Sequence, residues 1–221
     1  HPNVVRLYDM GFIWPDGNHD QASDAKSFGM DARAFCAAMD ESFEQRRLPY
    51  LVLQRMPSQH SLFRLVRRNP HSVRLPTEDI LGMSLQLAAF LVEIHRRDIL
   101  YWDPKPEHFY WDGQRVVVID WNVSRRIQNY EASDKSQDIQ LIAQRVIYPV
   151  LRGGPSYATG AKIEATPGSA PDPVLRERVD YRWQEKWLDD RVRQWLDPAL
   201  LGQYRNATDF MRDVQECAVY Y

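Results

Sequence analysis

Cysteine is nearly absent from this chain of 221 residues: only Cys36 and Cys217 occur, and neither has a metal-type spacing to histidine. A disulfide framework and a zinc site of paired cysteines are thereby excluded, and the expected address is cytoplasmic. Long apolar runs are missing too. The longest, near Leu87 to Val92, is far too short for a bilayer, and no signal-peptide pattern is present, so no membrane partner is expected. Charge of either sign is not in excess, since 28 Lys and Arg stand against 30 Asp and Glu for a net charge of -2. Arginine pairs at 46–47, 67–68, 96–97 and 125–126 are scattered instead of striped. Neither feature suits a nucleic-acid partner. No internal repeat appears. What remains is 44% hydrophobic and 26% charged, the balance of a globular chain with room for one well-buried domain or one and a fraction. A first residue of His instead of Met is what a fragment or a trimmed chain is expected to show.

The most informative stretch runs from Tyr101 to Asn122. Aromatic Phe109 to Trp111 and β-branched Val116 to Ile119 flank Asp112-Gly113, a dipeptide suited to a tight turn, so the stretch is expected to fold as a β-hairpin. If Asp112 and Gly113 alone make the turn, Trp111 faces Gln114, and antiparallel pairing sets Lys105 opposite Asp120, within a slip of a residue or so. Asp103, Lys105 and Asp120 then gather at the open end. Pro104 and Pro106 fix their own φ angles and bias the residues before them away from helix, which makes the approach to the hairpin stiff and extended.

Two carboxylates and an ammonium so placed suit phosphoryl transfer, where a protein mainly positions reactants and neutralises oxygen charge. Tyr101-Trp102-Asp103-Pro104-Lys105-Pro106-Glu107-His108 resembles the catalytic loop of protein kinases, and Asp120-Trp121-Asn122 stands where that family has Asp-Phe-Gly. Other segments resemble the family in its order. His1 to Tyr8 is similar to the approach to its fourth strand, and Pro49 to Met56 to its fifth strand and hinge. Ser61 to Val66 is similar to helix D, Asp138 to Ala143 to the start of helix F, and Asn206 to Phe210 to the final helix. The resemblance implies an α+β, protein-kinase-like fold with a mostly helical C-lobe, a catalytic-loop hairpin and a remnant of the N-lobe sheet. Residues 1–56 would be the N-lobe remnant and hinge, and residues 57–221 the C-lobe.

Roles follow from the resemblance residue by residue. Asp103 is the expected base and Lys105 the contact to the moving phosphoryl group. Asp120 is the expected metal ligand, with His108 in the place of a second. Gln54, Arg55 and Met56 would be the nucleotide hinge. Tyr101, Trp121 and Asp138 would support the loop. The implied cofactors are ATP with Mg²⁺ or Mn²⁺.

Several family features are missing. His108 replaces an Asn, although Mg²⁺ prefers oxygen ligands, so a hydrogen-bonded His108 is expected ahead of a ligating one. Trp102 replaces an Arg that grips a phosphorylated activation loop in many relatives. Asn122 replaces a Gly, and Asn tolerates the left-handed conformation. Few residues separate Asn122 from Asp138, with no Ala-Pro-Glu, so the segment that holds protein substrates is nearly gone. No Gly-rich loop or Val-Ala-Ile-Lys strand occurs, and Lys26, Lys105, Lys135, Lys162 and Lys186 offer no substitute. The expected function is accordingly a pseudokinase with impaired transfer that acts as a binding or regulatory module for a protein partner. The alternative is an active Ser/Thr kinase whose upstream lobe lies outside this sequence. A metal-dependent hydrolase using Asp103, His108 and Asp120 is a remote third reading.

Along the rest of the chain, strands are expected near 1–14 and over Leu48 to Arg55, with one short helix in Met30 to Glu44 after a polar Pro15 to Gly29. Those two strands need cover, from the insertion helix, a missing lobe or a partner. Thr77 is the expected N-cap of a buried helix to about Arg97. Asp138 to Leu151 is a second buried helix stopped at Gly153-Gly154, and Gly153 to Pro173 a loop. Val174 to Leu196 has helical spacing, and Asn206 or Thr208 caps the last helix. His60 and His95 read as surface or loop histidines, and Trp183, Trp187 and Trp195 as packing residues.

Overall fold

Strands form where β-branched and aromatic residues concentrate and helices where apolar residues recur every third or fourth position, giving an α+β protein with small antiparallel sheets. The computed structural model describes residues 1–14, 25–67, 75–127, 132–152 and 189–221. The chain divides into two compact units, Val4–Met56 and His1–Asn3 with Pro57–Tyr221. The expected loop over 153–173, most of the expected helix over 174–196, and Trp183 and Trp187 lie outside the described residues.

In the smaller unit, β1 (Leu7–Ile13) lies between β2 (Lys26–Ser27) and β3 (Leu48–Leu53), all antiparallel. The insertion supplies cover for this sheet. Alternation along β1 puts Met10 and Phe12 on one face, where Phe35 of α1 (Ala32–Ala37) stacks on Phe12 with ring centroids 4.8 Å apart and Phe28 packs edge-on. Burying rings of this size contributes about 1.5–3 kcal/mol each. Asp31 starts α1 by accepting a hydrogen bond from the Ala34 N–H at 3.0 Å. The single helix expected here is two, because Ala38, at φ -90 and ψ 0, interrupts it before α2 (Met39–Glu44). Phe43 is thereby turned out to solvent. Gly11 is required by close approach: a Cβ there would collide with the Lys26 carbonyl and the Tyr50 ring. On β3, Leu48, Leu51, Val52 and Leu53 remain exposed.

The larger unit is mostly helical. It contains α3 (Leu62–Arg67), α4 (Thr77–Arg96), α5 (Ala132–Ile142), a wide π-type turn (Ala143–Ile147), α6 (Tyr148–Arg152), α7 (Asp190–Leu200) and α8 (Ala207–Ala218). Helix α4 packs along α8. The core gathers Leu87, Phe90 and Leu91 of α4, Ile139 and Ile142 of α5, Val146 and Ile147 of the wide turn, Trp195 of α7 and Phe210 of α8, all buried. Asn206 caps α8, its Oδ1 accepting from the Asp209 N–H at 2.9 Å. At α4 the expected cap differs: Pro76 holds the N-cap position with no side-chain bond, and Thr77 is the first helical residue. The second helix also starts earlier than expected, at Ala132. Among the described residues no helix is long and apolar enough to cross a membrane.

Two short strand pairings complete this unit. β4 (Ile99–Leu100) pairs with β7 (Arg125–Arg126), and β5 (Phe109–Trp111) with β6 (Val116–Val118). Asn3 extends the second pair, accepting from the Val118 N–H at 2.7 Å and donating through Nδ2 to the Val116 carbonyl at 2.8 Å.

Candidate functional site at the mouth of the hairpin

The hairpin forms where the sequence pointed, but its register differs. Trp111 pairs with Val116, not Gln114, so the connection spans Asp112 to Arg115. The reason lies in Asp112, whose Oδ1 accepts from the N–H groups of Gln114 at 2.9 Å and Arg115 at 2.7 Å. That side-chain turn outcompetes the two-residue one. Its carboxyl is raised by partial burial, but the two N–H donors outweigh this and hold it below the usual range.

The shifted register changes what meets at the open end. Pairing continues one step, the Ile119 N–H donating to the His108 carbonyl at 2.9 Å. Before it, Pro106–His108 form a short 3₁₀ turn, and Lys105 is extended at φ -131 and ψ 144, as a residue preceding proline should be. Lys105 therefore does not face Asp120: its Nζ lies 2.5 Å from Asp103 Oδ2. His108 meets Asp120 instead, with Nε2 3.1 Å from Oδ2, while its Nδ1 lies 3.1 Å from the Asp103 carbonyl oxygen. Asp103, Lys105, His108 and Asp120 thus form one chain of contacts. A side chain that sequence reasoning missed joins it: Arg145 Nη1, in the wide turn, is 3.9 Å from Asp103 Oδ1.

Two residues here hold left-handed backbone without being glycine, Trp102 at φ 70 and Asp120 at φ 58. Strain of this kind costs about 1–3 kcal/mol per residue and persists only where the surroundings over-determine it. The left-handed member of Asp120-Trp121-Asn122 is therefore Asp120, and not Asn122.

What over-determines the loop is a buried anchor. Asp138, fully buried on α5, accepts from the Tyr101 N–H at 3.0 Å and the Trp102 N–H at 2.8 Å. Its Oδ2 is also 2.9 Å from His95 Nε2. His95 is thus buried on α4, not on the surface, since positions 84, 88, 91 and 95 share the face of α4 that turns inward. Lys135 adds to the same region, donating to the His95 carbonyl at 2.8 Å and to Asp98 Oδ1 at 3.2 Å. The Tyr101 ring packs edge-on with Phe90, Phe109 and Trp121, at centroid distances of 5.9, 5.6 and 5.4 Å. Its hydroxyl donates to the Ile119 carbonyl at 2.7 Å, tying the loop to the strand that leads into Asp120. Burial, with the charges of Asp120, Asp103 and Asp138 nearby, raises the Tyr101 hydroxyl far above its ordinary value.

Asp120 and His108 could hold a metal between them, for a separation of 3.1 Å is compatible with two neighbouring ligands of one small cation. The set is thin. Among the described residues no group of three or more His, Cys, Asp or Glu side chains is placed for a metal ion, so phosphate or water oxygens would have to complete the shell. Gln54, Arg55 and Met56 end the smaller unit, where the Gln54 N–H donates to the Arg6 carbonyl at 2.8 Å. No protein-family model matches the chain, and no curated protein is significantly similar to it.

Proposed function

We propose that the chain is a protein-kinase-like domain that retains the acceptor side of a phosphoryl-transfer site and has a weakened metal side, so that transfer is slow and binding is its main activity. The observation that carries this reading is the contact chain from Lys105 through Asp103 and His108 to Asp120, hung from Asp138. In the transfer that such a site supports, an acceptor hydroxyl oxygen bonds to the terminal phosphorus of a nucleoside triphosphate. The bridging P–O bond breaks to release the diphosphate, and the hydroxyl proton passes to Asp103. Lys105 would neutralise charge on the moving phosphoryl oxygens. A divalent metal at Asp120, when bound, supplies charge neutralisation for the phosphates. His108 weakens that end, because an imidazole stands where Mg²⁺ prefers oxygen and its Nε2 already sits against Asp120.

A second reading, an efficient phosphotransferase, draws on the strained φ angles of Trp102 and Asp120, since strain is retained where it serves a site. Transfer assays with ATP and Mg²⁺ on the wild type and on His108→Asn separate the two. Slow wild-type turnover that rises in His108→Asn supports the weakened metal side. Brisk wild-type transfer that falls in the variant would give the imidazole a role of its own and favour the second reading.

A further inference from the structure

A cavity of about 420 Å³ opens beside Asp103, lined by Trp102, Asp103, Val123, Gln137, Leu141 and Arg145. Gln137 and Leu141 come from α5 and Arg145 from the wide turn that follows, and their spacing of four keeps them on one side of the helix. Wide turns of this kind inside helices occur frequently at functional sites. The lining is mixed in a specific way. Trp102, Val123 and Leu141 offer an apolar wall, and the Arg125 guanidinium stacks 3.9 Å from the centroid of the Trp102 ring. Gln137 offers an amide, Asp103 an acceptor, and Arg145 a fork of donors.

Two cations converge on Asp103. Asp103 is one negative charge, already met by Lys105, and Arg145 brings a second positive charge to the same carboxylate. At 3.9 Å the guanidinium and carboxylate feel each other without a hydrogen bond between them. As a device for holding Asp103, Arg145 is redundant and badly placed. As a receiver for an anion it is well placed, because a carboxylate or phosphate entering the cavity can take the guanidinium through two parallel hydrogen bonds.

Resting on the reading of Asp103 as the acceptor-side base, we infer that this cavity takes a small molecule carrying both a hydroxyl and, within about 6 Å of it, a carboxylate or phosphate. The hydroxyl points to Asp103, the anion to Arg145, and the body lies against Trp102. This acceptor chemistry also suits a chain in which few residues separate Asn122 from Asp138 to hold a peptide.

The test is equilibrium binding to the full 221-residue chain, by calorimetry, of glycerol 3-phosphate and 4-hydroxyphenylacetate against their neutral counterparts glycerol and 4-hydroxyphenylethanol. The anionic probes should bind at least tenfold more tightly than the neutral ones. Arg145→Gln should erase that preference and Arg145→Lys should keep part of it. Gln137→Glu, at an exposed position, brings a negative charge into the cavity and should weaken the anionic probes about tenfold while sparing the neutral ones, which covers the case in which Arg145→Gln does not fold. No preference for the anions, or a preference indifferent to both Arg145→Gln and Gln137→Glu, overturns the inference. Adding ATP and Mg²⁺ separates it from the reading beneath it. Anion binding through Arg145 with no transfer to either probe, in His108→Asn as in the wild type, leaves the cavity assigned and sinks the phosphoryl-transfer reading. Transfer to peptide hydroxyls that is indifferent to Arg145 does the reverse.

Discussion

Two clusters of charge lie a few residues apart in this protein and are built on opposite principles. Around Asp138 the contacts turn inward: two backbone N–H groups and an imidazole converge on one fully buried carboxylate. At the mouth of the hairpin the groups are half open, with Lys105 53% and Asp103 23% exposed. A buried charge whose partners are removed costs several kcal/mol, whereas an exposed ion pair is worth little. The difference teaches where stability resides: the anchor holds the loop in a strained shape, and the mouth keeps its side chains within reach of solvent.

The comparison breaks first at Asp138. Asp138→Ala leaves the Tyr101 and Trp102 N–H groups and His95 without their acceptor, and should cost about 3–5 kcal/mol in urea unfolding. A loss below about 1 kcal/mol would mean that the anchor is not what holds the loop. Next comes Tyr101→Phe, which removes the hydrogen bond to the Ile119 carbonyl and should cost about 1 kcal/mol. The same variant sharpens the contrast through pH. Because burial raises the folded-state value of the Tyr101 hydroxyl above its ordinary 10.0, its stabilising effect is complete below pH 10 and is lost as pH rises beyond it. Alkaline unfolding followed by circular dichroism should therefore be less steep in Tyr101→Phe. Tyr204 supplies a remaining part, since its hydroxyl is raised by burial and donates to Asp213 at 2.8 Å. Equal steepness in the variant and the wild type contradicts the anchor's role. The smallest effect belongs to the mouth: Lys105→Met should change stability by no more than about 0.5 kcal/mol, and a larger loss would make the mouth structural.

The sequence made the mouth more legible than the anchor. Alternating β-formers around Asp112-Gly113 were enough to find the hairpin, and the loop residues 103, 105, 108 and 120 do meet at its end. The register was not legible, because the Asp112 side chain competes for backbone donors in a way that a dipeptide rule does not weigh. Residues 105 and 120 accordingly found other partners. In the anchor, Asp138 was visible only through the family resemblance. His95 looked like a surface residue in a run of polar ones, although its spacing from Ser84, Ala88 and Leu91 would have placed it on the inward face. Arg145 was the costliest miss. It stands in an apolar stretch seven residues after Asp138, and that interval on one helix face was the available signal. The break at Ala38 had no such signal, for alanine favours helix and only its backbone angles reveal the interruption.

The central proposal is that Asp120, although already met by His108, is where a metal and the phosphates of a nucleotide would be held. Its most direct test is a Mn²⁺ titration followed by electron paramagnetic resonance, with and without ATP, on the wild type and Asp120→Asn. The account predicts weak Mn²⁺ binding alone, tighter binding with ATP, and at least a tenfold loss of the ATP-dependent binding in Asp120→Asn with unfolding in urea nearly unchanged. Equal Mn²⁺ binding by the two proteins in the presence of ATP would contradict it.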